Sequence, residues 1–209
     1  MRIVKEHEER RNEILDTAQR LFSKMGYEKC TVNDILNEIG IAKGTFYHYF
    51  KSKTEVLDAI TERATELIAE RAAEVAENTA FTPEEKLLHI FLSMQIKEEV
   101  GENLLEEMHK PENALMHQKS LASAIRVLTP ILVGVVVEGM EQGVFTTAYP
   151  EQNMQIFLAA SITLLDGGIF EMAQEKQQMM FRALVAMLAG MLGVEEKVFW
   201  EKASAYWNG

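Results

Sequence analysis

The stretch that most constrains this chain is Thr31–Lys53, TVNDILNEIGIAKGTFYHYFKSK. Thr31 followed three residues later by Asp34 reads as a helix start, since a hydroxyl and a carboxylate at that spacing satisfy amides that a first turn leaves open. Ile35, Leu36 and Ile39 then share one face of the helix, and Gly40 stands where a left-handed residue would end it. A second short helix is expected from about Lys43 to Tyr49, and Ser52 with Glu55 forms a further capping box that opens a third. Two short helices around a tight turn, the second carrying polar, aromatic and basic side chains, have the shape that fits a DNA major groove. Sequence-specific binding of double-stranded DNA is the leading expectation.

A formal charge of −11 argues against that partner only until it is divided along the chain. Residues 1–60 hold ten basic and ten acidic side chains, so the rest of the chain carries the whole excess. Between Ile39 and Thr54 there are Lys43, Lys51 and Lys53 and no carboxylate. Charge sorted in this way gives a basic patch for phosphate on an otherwise acidic molecule.

The segments ILDTAQRLFSKMGYEKCTVNDI, GIAKGTFYHYF and KSKTEVL, between Ile14 and Leu57, resemble the N-terminal domain of the TetR family of bacterial transcriptional regulators. The order of Gly26-Tyr27, Thr31, Gly44-Thr45, Tyr47, Phe50 and Lys53 carries the resemblance; the rest of the chain is similar in length and helical character. Ala42 stands where the family often has Ser, and Cys30 where Thr is common. The resemblance implies a homodimer with two helix-turn-helix domains on a helical body. It also implies that two long helices, about 150–175 and 177–192, form a four-helix interface with the partner. A small molecule in the body would then change the spacing of the two recognition helices and release the operator.

Each residue of the motif has an expected role. Lys43, Gly44 and Thr45 begin the recognition helix, the end that meets base edges. The Tyr47 hydroxyl suits a phosphate oxygen, and by resemblance His48 and Tyr49 are groove or phosphate contacts. Lys53 would add its charge to the positive end of the third helix, and Thr31 would offer phosphate its hydroxyl or the neighbouring amides. Phe46 and Phe50 read as core.

Almost everything else reads as helix. The expected fold class is all-α, with a three-helix DNA-binding domain over residues 1–52 and a helical effector-binding and dimerisation domain over 53–209. Thr82-Pro83-Glu84-Glu85 is a strong helix start. A helix from Asn113 onward should kink at Pro130, and a terminal one carries Phe199, Trp200, Tyr206 and Trp207 as core or a domain clasp. The apolar run Val127–Val137 is short for a membrane span and interrupted by Pro130, so no membrane partner is expected. One cysteine excludes an internal disulfide framework, and residues 1–13 are too charged for a secretory leader; a cytoplasmic protein is the expectation.

The body is less legible. Phe91 and Met94 are candidate walls of an effector pocket, although methionines at helical spacing are more often ordinary core. Asp166, placed in a long helix with Gly167-Gly168, is either paired at a helix crossing or subunit interface or open to a ligand. Ile156, Phe157, Ala160, Leu164 and Ile169 form the expected dimer stripe. His89, His109 and His117 lack metal-ligand spacing, so no metal or other cofactor is expected. Two alternatives to a ligand-released regulator stay open: one controlled by a protein partner, and an all-α enzyme, against which no nucleophile–base pair or phosphate loop appears.

Overall fold

The computed structural model describes residues 2–94 and 97–207, and every regular element among them is helical. In chain order these are α1 (Arg2–Met25), α2 (Val32–Ile39), α3 (Lys43–Tyr49), α4 (Lys53–Glu77), α5 (Pro83–Ser93), α6 (Lys97–Val100), α7 (Glu102–Met108), a 3-10 turn (Pro111–Asn113), α8 (Ala114–Glu141), α9 (Pro150–Leu164), α10 (Gln174–Leu192) and α11 (Glu196–Trp207). The side chains of Tyr206 and Trp207 lie outside the described ones.

The chain divides into two compact units, Met1–Thr65 with Ile96–His117, and Glu66–Gln95 with Gln118–Gly209. The first therefore runs past residue 52 and takes in α6, α7 and the first turn of α8. Its core joins Ile14, Leu15, Ala18 and Phe22 of α1 to Ile35 of α2, Phe46 of α3, and Val56, Leu57 and Ile60 of α4. Val100, Leu104 and Met108 complete that core from α6 and α7. Phe46 and Phe50 are 0% and 2% exposed, the core positions expected of them. Polar ties hold the later segment in place: Asn103 donates to the Ser23 carbonyl at 2.7 Å, and Gln19 to the Glu99 carbonyl at 2.7 Å.

In the second unit α9 packs on α10, and α11 packs on α5 and α10. The Thr82–Glu85 capping box forms as expected, with Pro83 in the first turn of α5. Lys86 of α5 is buried and meets the Glu138 carboxylate of α8 through both oxygens, at 2.9 and 2.7 Å. Pro130 does not end α8, which continues as helix to Glu141. The residue whose carbonyl is left without a helical partner there, Arg126, is exposed, so water can satisfy that carbonyl. By length and composition α8 would pass for a membrane span, yet Leu128, Leu132, Val135 and Val136 are buried in this chain's own core. Gly139 is required by packing: a Cβ there would sit 2.1 Å from the Phe145 ring.

One expectation is corrected. The helix drawn over 150–175 stops at Leu164, so Asp166, Gly167, Gly168 and Ile169 are not helical. Two adjacent glycines weaken a helix, and Asp166 supplies the competing turn. Its Oδ1 accepts from the Gly168 amide at 2.7 Å, while its carbonyl accepts from Ile169 and Phe170 at 3.2 and 2.9 Å.

Candidate nucleic-acid interface

The α2–α3 pair is built from local rules. Thr31 is extended and caps α2; its hydroxyl accepts from the Asp34 amide at 3.2 Å, and the Asp34 carboxylate takes the Thr31 amide at 2.8 Å. These hydrogen bonds from Thr31 hold the Asp34 carboxyl below the usual aspartate range. Gly40 ends α2 at φ 77°, with its amide on the Leu36 carbonyl at 2.8 Å. Ala42 precedes α3 in extended conformation and supplies no side-chain cap.

The α3 helix is anchored from below by Phe46, while Lys43, Gly44, Tyr47 and His48 are exposed and Thr45 and Tyr49 are half-buried. A Cβ on Gly44 would meet nothing within 4 Å, so the surface there is open to close approach. The Lys43 ammonium sits 5.8 Å from the Tyr47 ring centroid. Six of the expected contact residues, Lys43, Gly44, Thr45, Tyr47, His48 and Tyr49, thus share one short element.

Two are used differently. The Thr31 hydroxyl, besides capping, donates to Asp34 at 2.6 Å; its proton is committed, and a carboxylate stands beside it. Lys53 turns inward: its ammonium donates to the Tyr27 carbonyl at 2.7 Å and the Cys30 carbonyl at 3.0 Å, and lies 4.0 Å from the Tyr27 ring centroid. It clamps the start of α4 to the turn before α2. Alongside, the Tyr27 and Thr54 hydroxyls are 3.3 Å apart, and burial raises the Tyr27 hydroxyl above its ordinary pKa. Burial likewise pushes the Cys30 thiol up, which leaves it a protonated core residue.

Sequence reasoning missed His7. Its ring lies 5.6 Å from His48 and 4.5 Å from Tyr49, and Arg11 stands over the Phe50 ring at 5.5 Å. No motif marks these positions, which fall before the residues that carry the family resemblance. The structure also brings the His109 and His117 rings to 4.9 Å, a pair that their spacing did not suggest.

In the second unit, Phe91 stacks on Phe181 at 5.2 Å and tilts against Phe157 at 5.0 Å, with Trp200 6.1 Å beyond Phe181. Met94 caps the end of α5 and is half-buried, and Asp166 lies in the turn after α9, with its Oδ1 on the Gly168 amide. The expected dimer stripe divides. Ile156 is 52% exposed, Ala160 and Leu164 are half-buried, but Phe157 is only 2% exposed and faces the aromatic cluster. Ile169 is exposed but lies off the helix. Adjacent helix positions point about 100° apart, so Ile156 and Phe157 belong to different faces.

Comparison with known proteins places the chain. Residues 14–60 match the model of bacterial regulatory proteins of the tetR family, and residues 97–187 match that of a tetracyclin repressor-like C-terminal domain. The chain is 32% identical over 92 residues to the HTH-type transcriptional repressor KstR2 of Mycobacterium tuberculosis, a match covering 44% of this chain and 46% of that protein. It is 25% identical over 134 residues to the fatty acid metabolism regulator protein of Bacillus subtilis, covering 63% and 68% respectively. The match to KstR2 thus spans less than half of that protein's length. Among solved structures, RolR in complex with resorcinol superposes with a TM-score of 0.66 over 96% of both chains at 21% identity, a likeness of fold. With both parts of the chain matched in order, it belongs to the TetR family of bacterial regulatory proteins.

Proposed function

We propose that this TetR-family DNA-binding regulator is a repressor, a homodimer that holds double-stranded operator DNA through two α3 helices and releases it when a small hydrophobic effector binds the second unit. The observation that carries the reading is the opening of α3: Lys43 and Gly44 are exposed, and Gly44 is unobstructed, above an anchoring Phe46. Dimeric recognition helices must reach successive major grooves roughly 34 Å apart, so an effector that favours a different spacing weakens binding.

Repression is supported by the likeness to KstR2, and an effector by the resorcinol bound in RolR and the lauroyl-CoA bound in Thermus thermophilus FadR. In this chain the rings of Phe91, Phe157 and Phe181 suit an apolar compound. The Ser161 hydroxyl, buried without a hydrogen-bond partner one turn beyond Phe157, offers a polar anchor. The acidic excess of the chain favours neutral or cationic compounds over anions. Dimerisation is supported by exposed apolar faces on two helices packed together, Ile156 on α9 and Met179, Ala183, Ala186 and Gly190 on α10. Such a regulator acts on cytoplasmic DNA and catalyses nothing.

The test is selection from randomised duplexes by the full chain. Sedimentation of the selected complex follows, then release of labelled operator by hydrophobic cations, neutral aromatics and fatty acids. Enrichment of a palindrome, bound by a dimer and released by a neutral or cationic compound, is expected. No enriched sequence would overturn DNA binding. Release by anions alone would overturn the charge argument.

A further inference from the structure

The α1 helix begins at Arg2, well ahead of residue 14, where the match to the family's DNA-binding model starts. We propose that this leading stretch of α1 belongs to the operator-binding surface, with His7 as the positioning residue that sets the His48 and Tyr49 rings at the end of the recognition helix.

Three rings close on one another there. His7 meets His48 edge-on, with centroids 5.6 Å apart and planes at 78°, and meets Tyr49 at 4.5 Å and 44°. His48 and Tyr49 complete the triangle at 5.2 Å and 85°. One turn further along α1, on the same face, the Arg11 guanidinium lies 5.5 Å over the ring of Phe50, the residue that ends α3. One face of α1 therefore runs along the last turn of α3. The intervening Glu8 and Glu9 are exposed, and helix geometry turns them about 100° and 200° away from His7.

The arrangement matters because α3 is short and weakly held at its start. It has seven residues and no side-chain cap, so the orientation of its last side chains depends on what touches them. His48 is exposed and Tyr49 half-buried, which puts the ring cluster at the surface rather than in the core. A ring held against two others has already given up the rotamer freedom that meeting DNA would otherwise cost it, and that preorganisation strengthens binding without any new contact to the duplex. The partner implied is a DNA duplex longer than α3 alone would cover, met by α3 and the first turns of α1 together.

The proposal rests on the DNA-binding reading, and the experiment separates the two. The full chain and its His7→Ala and His7→Phe variants are titrated with the duplex that the wild type selects, over a series of salt concentrations, with thermal unfolding recorded for each. His7→Ala should bind about 3- to 10-fold more weakly, the scale of one or two aromatic contacts, with the fold retained, the unfolding midpoint lower by no more than about 4 °C and the salt slope unchanged. His7→Phe, which keeps a ring without the imidazole nitrogens, should stay within about twofold of wild type on the same scale. In a His48→Ala, Tyr49→Ala background, His7→Ala should have no further effect, because nothing is left for it to position. Wild-type affinity in His7→Ala overturns the proposal and leaves the DNA reading intact. So does a His7→Phe as weak as His7→Ala with a flatter salt slope, which would make His7 a phosphate contact in its own right. A wild-type chain that selects no duplex overturns the DNA reading itself, and this proposal with it.

Discussion

Around α2 the helix boundaries are set by residues within one turn of them; on α9 the choice of which face is buried is set by what packs there. Thr31 caps α2 through a box closed by Asp34, Gly40 ends it in the left-handed region, and Ser52 accepts the Glu55 amide at 3.1 Å to open α4. In α9 neighbouring apolar residues part company: Phe157 enters the aromatic cluster while Ile156 stands in solvent. A surface specified by local rules can be read residue by residue. One specified by a second molecule is read only as the apolar area that the chain itself does not cover.

The sharpest way to break this comparison is to exchange the two neighbours. Phe157→Ala should destabilise the second unit by about 3–5 kcal/mol, as expected when a fully buried ring is deleted and the Phe91 ring beside it is left unsupported. Ile156→Ala should change unfolding by less than about 1 kcal/mol at concentrations where the protein is a monomer. Ile156→Asp should shift the sedimentation profile from dimer to monomer. Equal destabilisation at the two positions, with no change of assembly, would show that α9 buries both faces in its own chain.

Next in size is Lys53, read from sequence as a phosphate contact and turned inward in the structure. With its ammonium on two carbonyls, Lys53→Ala should lower the stability of the first unit by about 1.5–3 kcal/mol, the scale of hydrogen bonds to a charged group. The salt slope of DNA binding should not change where the variant is fully folded. Lys43→Ala should do the opposite, leaving unfolding within about 0.5 kcal/mol and flattening the slope by about one for each phosphate that its ammonium no longer neutralises. A flattened slope for Lys53→Ala would return it to the interface.

These residues show what could be read in advance. The three helices of residues 31–55 were legible because hydroxyl, carboxylate and glycine at fixed spacing act on the backbone beside them. Phe46 and Phe50 were legible because a small unit needs aromatic filling. Lys53 was not: its charge and its place at a helix start fit a phosphate, and only folding shows the Tyr27 and Cys30 carbonyls beneath it. Nor was the inclusion of α6 and α7 in the first unit, since Val100, Leu104 and Met108 recur at i+4 spacing that fits any core. At Asp166 the apolar run outweighed the two glycines in the reading, whereas in the chain an Asp side chain bonding its own backbone ended the helix.

A smaller effect tests the cap itself. Thr31→Ala should cost about 1 kcal/mol by releasing the amide of Asp34. Because the Asp34 carboxyl is held below its ordinary value, its contribution is present above the unfolded pKa of about 4 and fades as the pH falls through the lower folded value. Asp34→Asn should therefore differ from wild type at neutral pH and converge with it in acid, as followed by urea unfolding across that range. A difference that persists unchanged in acid would show that the carboxylate's charge is not what matters.

The smallest expected effect is a gain. Ala42 has the extended backbone of a cap residue, at φ −73° and ψ 149°, but no side chain able to accept an amide of α3. Ala42→Ser should stabilise the first unit by about 0.5–1 kcal/mol, the usual worth of an N-cap hydroxyl. The gain should appear in unfolding whether or not DNA is present, because the cap acts on the helix and not on the duplex. Operator affinity then separates two roles for the missing cap. If α3 is already held in its DNA-binding orientation by Phe46 below and His7 beside it, affinity should stay within about twofold of wild type. Tighter binding by more than the gain in stability would mean that the start of α3 is loose in the free protein, and that local capping rather than packing limits how well this surface meets DNA.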